Sequence, residues 1–206
     1  MRTKLLFLIA LIFIVACQPA NIKNQLIELG AIPSDHTSEY LTVYKKHTVT
    51  NRIYEEFETK CIISVTPFTK EFLEAYLKER MLFLKENDFL TLQDRERQVN
   101  EKNIKFFVSF YTPNPDFSDL EKPNSIWQVY LEKSDKTRLL PLAIRKSSES
   151  YPVTNHFFPS LDPWSSPYIV IFPRFKDEKV NLKDGEEFKL VFKSVIGTSI
   201  FNFKNI

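Results

Sequence analysis

Glycine is nearly absent, with three in 206 residues, at Gly30, Gly185 and Gly197. A G-x-G-x-x-G dinucleotide turn and a P-loop each need several glycines so that backbone can approach a phosphate, and both are excluded. The same shortage, with no G-x-S-x-G elbow, leaves little material for an oxyanion loop. Cysteine is just as scarce, with Cys17 and Cys61 alone, so no disulfide framework or C-x-x-C knuckle is available. The histidines, His36, His47 and His156, stand far apart in the chain. No pair has the i, i+4 spacing that aims two imidazoles at one ion, and neither a metal nor another cofactor is expected. An excess of one charge is lacking too, with 28 basic against 26 acidic side chains. Nucleic-acid binding asks for a concentrated basic surface. The short run Tyr44-Lys45-Lys46-His47, read as a solvated strand or loop, does not supply one. No apolar run reaches the roughly 20 residues that cross a bilayer as a helix, and no internal repeat is present.

The longest apolar run is Leu5 to Ala16, uncharged throughout and preceded by Arg2 and Lys4. Flanking charge, length and abrupt end are those of an export signal. Its last residues, Ile14-Val15-Ala16-Cys17, resemble the lipobox of bacterial lipoproteins. That resemblance implies a diacylglycerol on the Cys17 thiol, removal of residues 1–16, and acylation of the new amine. Residues 17–40, polar and proline-marked, then read as a lipidated tether with room for a short helix at 22–29, and residues 41–206 as one domain. One acyl chain holds a protein only marginally and two or more hold it stably. The expectation is therefore a chain attached to the cell envelope without spanning its membrane. Gln18 stands where inner-membrane lipoproteins of enterobacteria carry aspartate, which leans toward the outer membrane, with the domain facing the periplasm or the surface. Without residues 1–16 the basic count falls from 28 to 26, equal to the acidic count. With lipid on Cys17, Cys61 has no partner in the chain. The resemblance covers residues 1–17 and leaves the role of the domain open.

Behind the tether, period-two patterning dominates. From Arg52 to Thr66, Ile53, Phe57, Cys61, Ile63 and Val65 alternate with polar residues, the mark of a half-buried strand. Cys61 falls on its apolar face and reads as a small core hydrophobe. Phe72, Leu73, Tyr76, Leu77, Met81 and Leu84 then recur at three and four residues, predicting one amphipathic helix over 69–86. Residues 93–102 are polar and read as a loop with helical tendency. Strands resume at 106–111, 127–132, 140–144, 168–172 and 188–192. Turns are marked at Ser134-Asp135-Lys136 and Asp184-Gly185, and Gly197-Thr198 closes a last hairpin onto Ile200, Phe201 and Phe203. The fold class is mainly β. It reads as an immunoglobulin-like β-sandwich with one amphipathic helix inserted near residues 69–86, with Trp127 between the sheets. The alternative is an α+β fold with one antiparallel sheet.

Residues 151–175, YPVTNHFFPSLDPWSSPYIVIFPRF, hold Pro152, Pro159, Pro163, Pro167 and Pro173 among the twelve prolines of the chain. Proline lowers the entropy lost on ordering, so a defined loop is expected, and ordered loops often carry binding. His156, Phe157, Phe158, Asp162, Trp164 and Tyr168 are its candidate binding residues, as an aromatic platform for a sugar or a peptide. The competing reading has these aromatics pinning the loop over an open end of the sandwich. His156, Ser160 and Asp162 have the residue types of a Ser-His-Asp site but none of its local signatures, and no catalytic residue is assigned. Glu55 interrupts an apolar row and reads as half of an ion pair, with Arg138 or Arg145 as partner. The leading functional expectation is a non-catalytic binding or structural module of the cell envelope, with another envelope protein, a peptide or a glycan as partner and no nucleic acid. One alternative is an envelope hydrolase with His156 beside Asp162 or Glu55. Another is a carrier holding an apolar ligand between sheet and helix, in a cavity of several hundred Å³ lined by residues such as Phe72, Tyr76 and Phe106.

Overall fold

The computed structural model describes residues 36–174 and 186–204. Cys17, the leader, most of the tether and the Asp184-Gly185 turn lie outside the described residues. Within them, nine strands form two antiparallel sheets and four α-helices are present. The first sheet has the order β1 (Val49–Glu55), β2 (Glu58–Pro67), β3 (Asn103–Tyr111), β7 (Ser166–Pro173), β6 (Ala143–Lys146). The second has the order β5 (Arg138–Leu139), β4 (Gln128–Lys133), β8 (Glu187–Ser194), β9 (Gly197–Lys204). The protein is thus a β-sandwich with helices added, and the one-sheet alternative does not hold.

Strand alternation builds the sandwich core. Phe106, Val108 and Phe110 of β3, with Val170 and Phe172 of β7, meet Val129, Leu131, Leu190 and Phe192 of the second sheet. Trp127 joins them, its ring edge-on to Phe110 at 5.1 Å and its Nε1–H donating to the Phe117 carbonyl at 2.9 Å. Cys61 is fully buried in the same core, and burial pushes its thiol up to about 12.

The opposite face of the five-stranded sheet is covered as well. Helices α1 (Ser38–His47), α2 (Lys70–Met81), α3 (Glu86–Lys102) and α4 (Tyr151–Phe157) form a third layer. A second core there holds Tyr40, Tyr44, Phe68, Phe72, Tyr76, Phe107, Phe157 and Phe158. Central strand β3 is consequently buried on both faces over most of its length.

Several elements differ from the sequence expectation. The single helix of 69–86 is two, since α2 ends at Met81 and α3 runs through the stretch read as a loop. The apolar stripe of α3, Phe89, Leu92 and Val99, is interrupted at Glu96, the one residue of that helix that is buried. The basic run at 44–47 closes α1, where its cations oppose the negative end of the helix dipole. Tyr40 of this helix is buried, so the folded body takes in residues ahead of 41. The alternation over 52–66 belongs to a hairpin, because Glu56 adopts a left-handed φ of 54° and Phe57 sits exposed at the tip. Glu55 ends β1 beside Lys60 at 3.2 Å instead of meeting Arg138 or Arg145. After β5 the chain leaves the second sheet at Pro141, which has no N–H for a ladder, and Ile144 pairs with Val170 in the first. The final hairpin turns at Val195-Ile196, two residues earlier than expected, and Gly197 opens its second strand.

Candidate functional site

The six candidate residues of 151–175 divide among three neighbourhoods. His156 and Phe157 lie on α4, buried among the helices. Phe158 stacks on Phe107 at 3.6 Å with nearly parallel rings. Phe157 lies under the Arg80 guanidinium at 3.8 Å, and its carbonyl accepts from the Tyr40 hydroxyl. Tyr168 faces the other way, into the sandwich, where its single hydroxyl proton lies between two acceptors, Glu121 at 2.7 Å and the Ser118 carbonyl. Asp162 accepts from the Trp164 amide at 2.8 Å, and the Trp164 side chain stands out in solvent, 82% exposed. The stretch is a short helix, turns and strand β7, with its aromatics divided between two cores and solvent, so no common aromatic platform is formed.

The residues of the hydrolase alternative are dispersed as well. The Ser160 hydroxyl accepts from Tyr44 at 2.6 Å, and the His156 ring meets Glu79 at 3.2 Å. Here the fold does what chain spacing conceals. His36 stacks on His156 with centroids 4.5 Å apart, and its Nε2 meets the His156 carbonyl at 2.6 Å. Thr37 donates to the second oxygen of buried Glu79 at 2.8 Å. These bonds fasten the start of the described chain to α2 and α4. Among the described residues no group of three or more His, Cys, Asp or Glu side chains is placed to hold a metal ion.

A cleft of about 570 Å³ lies between the outer face of the five-stranded sheet and the helices. Alternation positions its floor. With Phe106, Val108, Val170 and Phe172 turned into the sandwich, Phe107, Ile169 and Ile171 must point to the helix side. Phe158 continues this apolar surface, while Phe68 and Tyr76 close one side. Lys105 occupies the next outward position on β3 and forms a buried ion pair with Glu96 of α3. The Lys105 ammonium also lies 4.0 Å from the Phe68 ring. Burial holds the Lys105 pKa below the ordinary lysine value against the pull of Glu96, and Arg95 and Arg145 add to the lowering. Glu149 at the rim is gripped through both oxygens by Arg80, at 2.6 and 2.7 Å. Arg145 lines the cleft from β6 and makes no ion pair among the described residues.

A second concavity of about 420 Å³ lies on the four-stranded sheet. Lys133 pairs there with Glu186, Lys136 with Glu132 and Lys204 with Glu187, while Lys189 makes no ion pair among the described residues.

Sequence reasoning passes over Lys105 and Glu96, and it reads Arg145 only as a partner for Glu55. Two signals were present. Lys105 is a charge in the strongly apolar run 104–110, and Glu96 sits on the helical stripe of its neighbours. Among the described residues no helix is long and apolar enough to cross a membrane. Comparison with protein-family models, with curated proteins and with solved structures finds no match for this chain.

Proposed function

We propose that this chain is a lipid-anchored domain of the bacterial cell envelope that binds a small molecule without transforming it, in the cleft between sheet and helices. The cleft carries the reading. It has an apolar floor, a few convergent charges and a volume within the ordinary range of ligand sites. Catalysis is disfavoured by the engagement of the candidate groups elsewhere. Ser160 serves Tyr44, His156 serves Glu79, and the Cys61 thiol is buried in the other core. The lipobox of residues 14–17 supports the anchor.

Two measurements test this. Native mass spectrometry of the full chain purified from its own membranes is expected to show a retained small molecule. Ile171→Trp, which fills the floor of the cleft, is expected to lose it. Cys17→Ser is expected to abolish acylation and release from the signal, seen in the mass of the purified chain. A Cys17→Ser protein that still carries acyl groups would remove the anchor. Equal retention by wild type and Ile171→Trp would remove the site. Turnover of an ester, peptide or glycan panel, abolished by a single substitution in the cleft, would make it an enzyme.

A further inference from the structure

We infer that the ligand of this cleft is an amphipathic organic anion, its apolar body lying on the partly exposed Ile169 and Ile171 and its acidic head held by Arg145. The inference rests on the cleft being the binding site and adds the class of molecule it takes.

Charge balance supplies the first argument. Four cations line the cleft, Arg95, Lys105, Arg145 and Lys146, against two carboxylates, Glu96 and Glu149. Both carboxylates are already engaged, Glu96 by Lys105 and Glu149 by Arg80. A cationic ligand would therefore find no open acid and would face the surplus positive charge. A neutral ligand would leave that surplus in place. An anion neutralises it.

Geometry supplies the second. Lys146 reaches Glu121 at 3.6 Å and Arg95 reaches Glu96 at 3.5 Å, whereas Arg145 has no acid partner among the described residues. A guanidinium presents parallel N–H donors that match two oxygens of one acidic group. Its position on β6, the edge strand next to β7, puts it beside Ile169, its register partner on the floor-forming strand. Head and body subsites are thus adjacent. A carboxylate, a sulfonate and a phosphate monoester share this head-group chemistry.

The Lys105–Glu96 pair sets the polarity of the interior. It is buried and internally neutral, so it satisfies itself and leaves the deeper surface apolar except for one fixed dipole. A bare inorganic anion would gain nothing from that surface, and an anion with an apolar body gains from both regions.

Isothermal titration of the full chain in detergent, against a detergent blank, tests this with three probes. Naphthalene-2-sulfonate supplies body and charge, naphthalene-2-sulfonamide the same body without charge, and inorganic sulfate the charge without a body. The sulfonate is expected to bind about tenfold or more tighter than the sulfonamide, the scale of a charge-assisted contact, and sulfate is expected to give no heat. Arg145→Met should weaken the sulfonate by about tenfold and leave the sulfonamide within about twofold. Arg145 is exposed, and a urea midpoint equal to wild type verifies that this variant folds. Equal binding of sulfonate and sulfonamide, both lost in Ile171→Trp, would overturn the anion class while leaving the cleft as a site. Equal heat from sulfate and sulfonate would overturn the amphipathic part. Binding untouched by Ile171→Trp would overturn the cleft itself.

Discussion

Lys105 stands where the alternation of β3 calls for an apolar side chain, and Glu96 does the same on α3. Each is tolerable only because of the other. Desolvating an ammonium and a carboxylate costs several kcal/mol apiece, and their attraction in a dry setting roughly repays it. Removing one partner leaves the other charged and buried. Glu96→Gln is therefore expected to cost about 3–5 kcal/mol in urea unfolding near neutral pH. The loss should shrink at higher pH, because a lone Lys105, already depressed by burial, sheds its proton sooner. Lys105→Met combined with Glu96→Leu replaces the pair by apolar groups and is expected to recover most of the stability. A double variant no more stable than Glu96→Gln would mean that the two charges are not coupled.

At the scale of elements, what could be read from the sequence was whatever a single period controls. Strands β3, β7 and β8 and the stripe of α2 follow from alternation and from three-and-four spacing, because each carries a continuous apolar face, with β3 buried on its second face as well. What could not be read depended on a partner distant in the chain. The second half of α3, residues 93–102, reads as a loop with helical tendency because it is polar and its core-facing position 96 is a carboxylate, which Lys105 across the interface makes acceptable. The hairpin of β1 and β2 looked like one strand because a two-residue turn preserves alternation. The candidates within 156–168 read as an aromatic cluster, but alternation on β7 turns Tyr168 into the sandwich while the end of α4 sets Phe158 on the opposite face of the same sheet. The cleft draws on segments near 68–76, 95–107, 145–149 and 158–171, and no local pattern joins these. One junction between elements can be tested directly. Gly197 opens β9 with a φ of 146°, and a Cβ there would lie 2.8 Å from the Ile53 Cγ2 on β1. Ile53 is β-branched and stiff, so it cannot swing aside cheaply. Gly197→Ala is expected to cost about 2 kcal/mol, from overpacking and an unfavourable backbone region together, read as a lower urea midpoint with unchanged slope. A neutral result would mean that the two sheets shift freely at this corner.

Across the whole molecule, two cores share one sheet, and each core hides weak acids. Cys61 and Tyr168 are buried between the two sheets, Tyr40 and Tyr76 between sheet and helices. Burial raises all four, Cys61 and Tyr76 to about 12 and Tyr40 and Tyr168 above the ordinary phenol range. In the unfolded chain a thiol ionises near about 8.5 and a phenol near about 10. A group raised on folding holds its proton in the native state after the unfolded state has lost it. Its stabilising contribution is therefore complete below the unfolded pKa and is lost as pH climbs toward the folded one. Lys105, lowered by burial, acts in the opposite sense over the same alkaline range, but it is one group against four. The urea midpoint is accordingly expected to be level from about pH 7 to 8.5 and to fall increasingly above about pH 10. Cys61→Val should delay the first decline to the phenol range, since the thiol is the one of the four that begins to ionise below it in the unfolded chain. Because β3 is wall to both cores, opening either one exposes the other, and aromatic near-ultraviolet dichroism should be lost together with secondary structure. Aromatic dichroism lost while the sheets persist would mean that the helix layer detaches by itself, and the two cores would then be separate cooperative units.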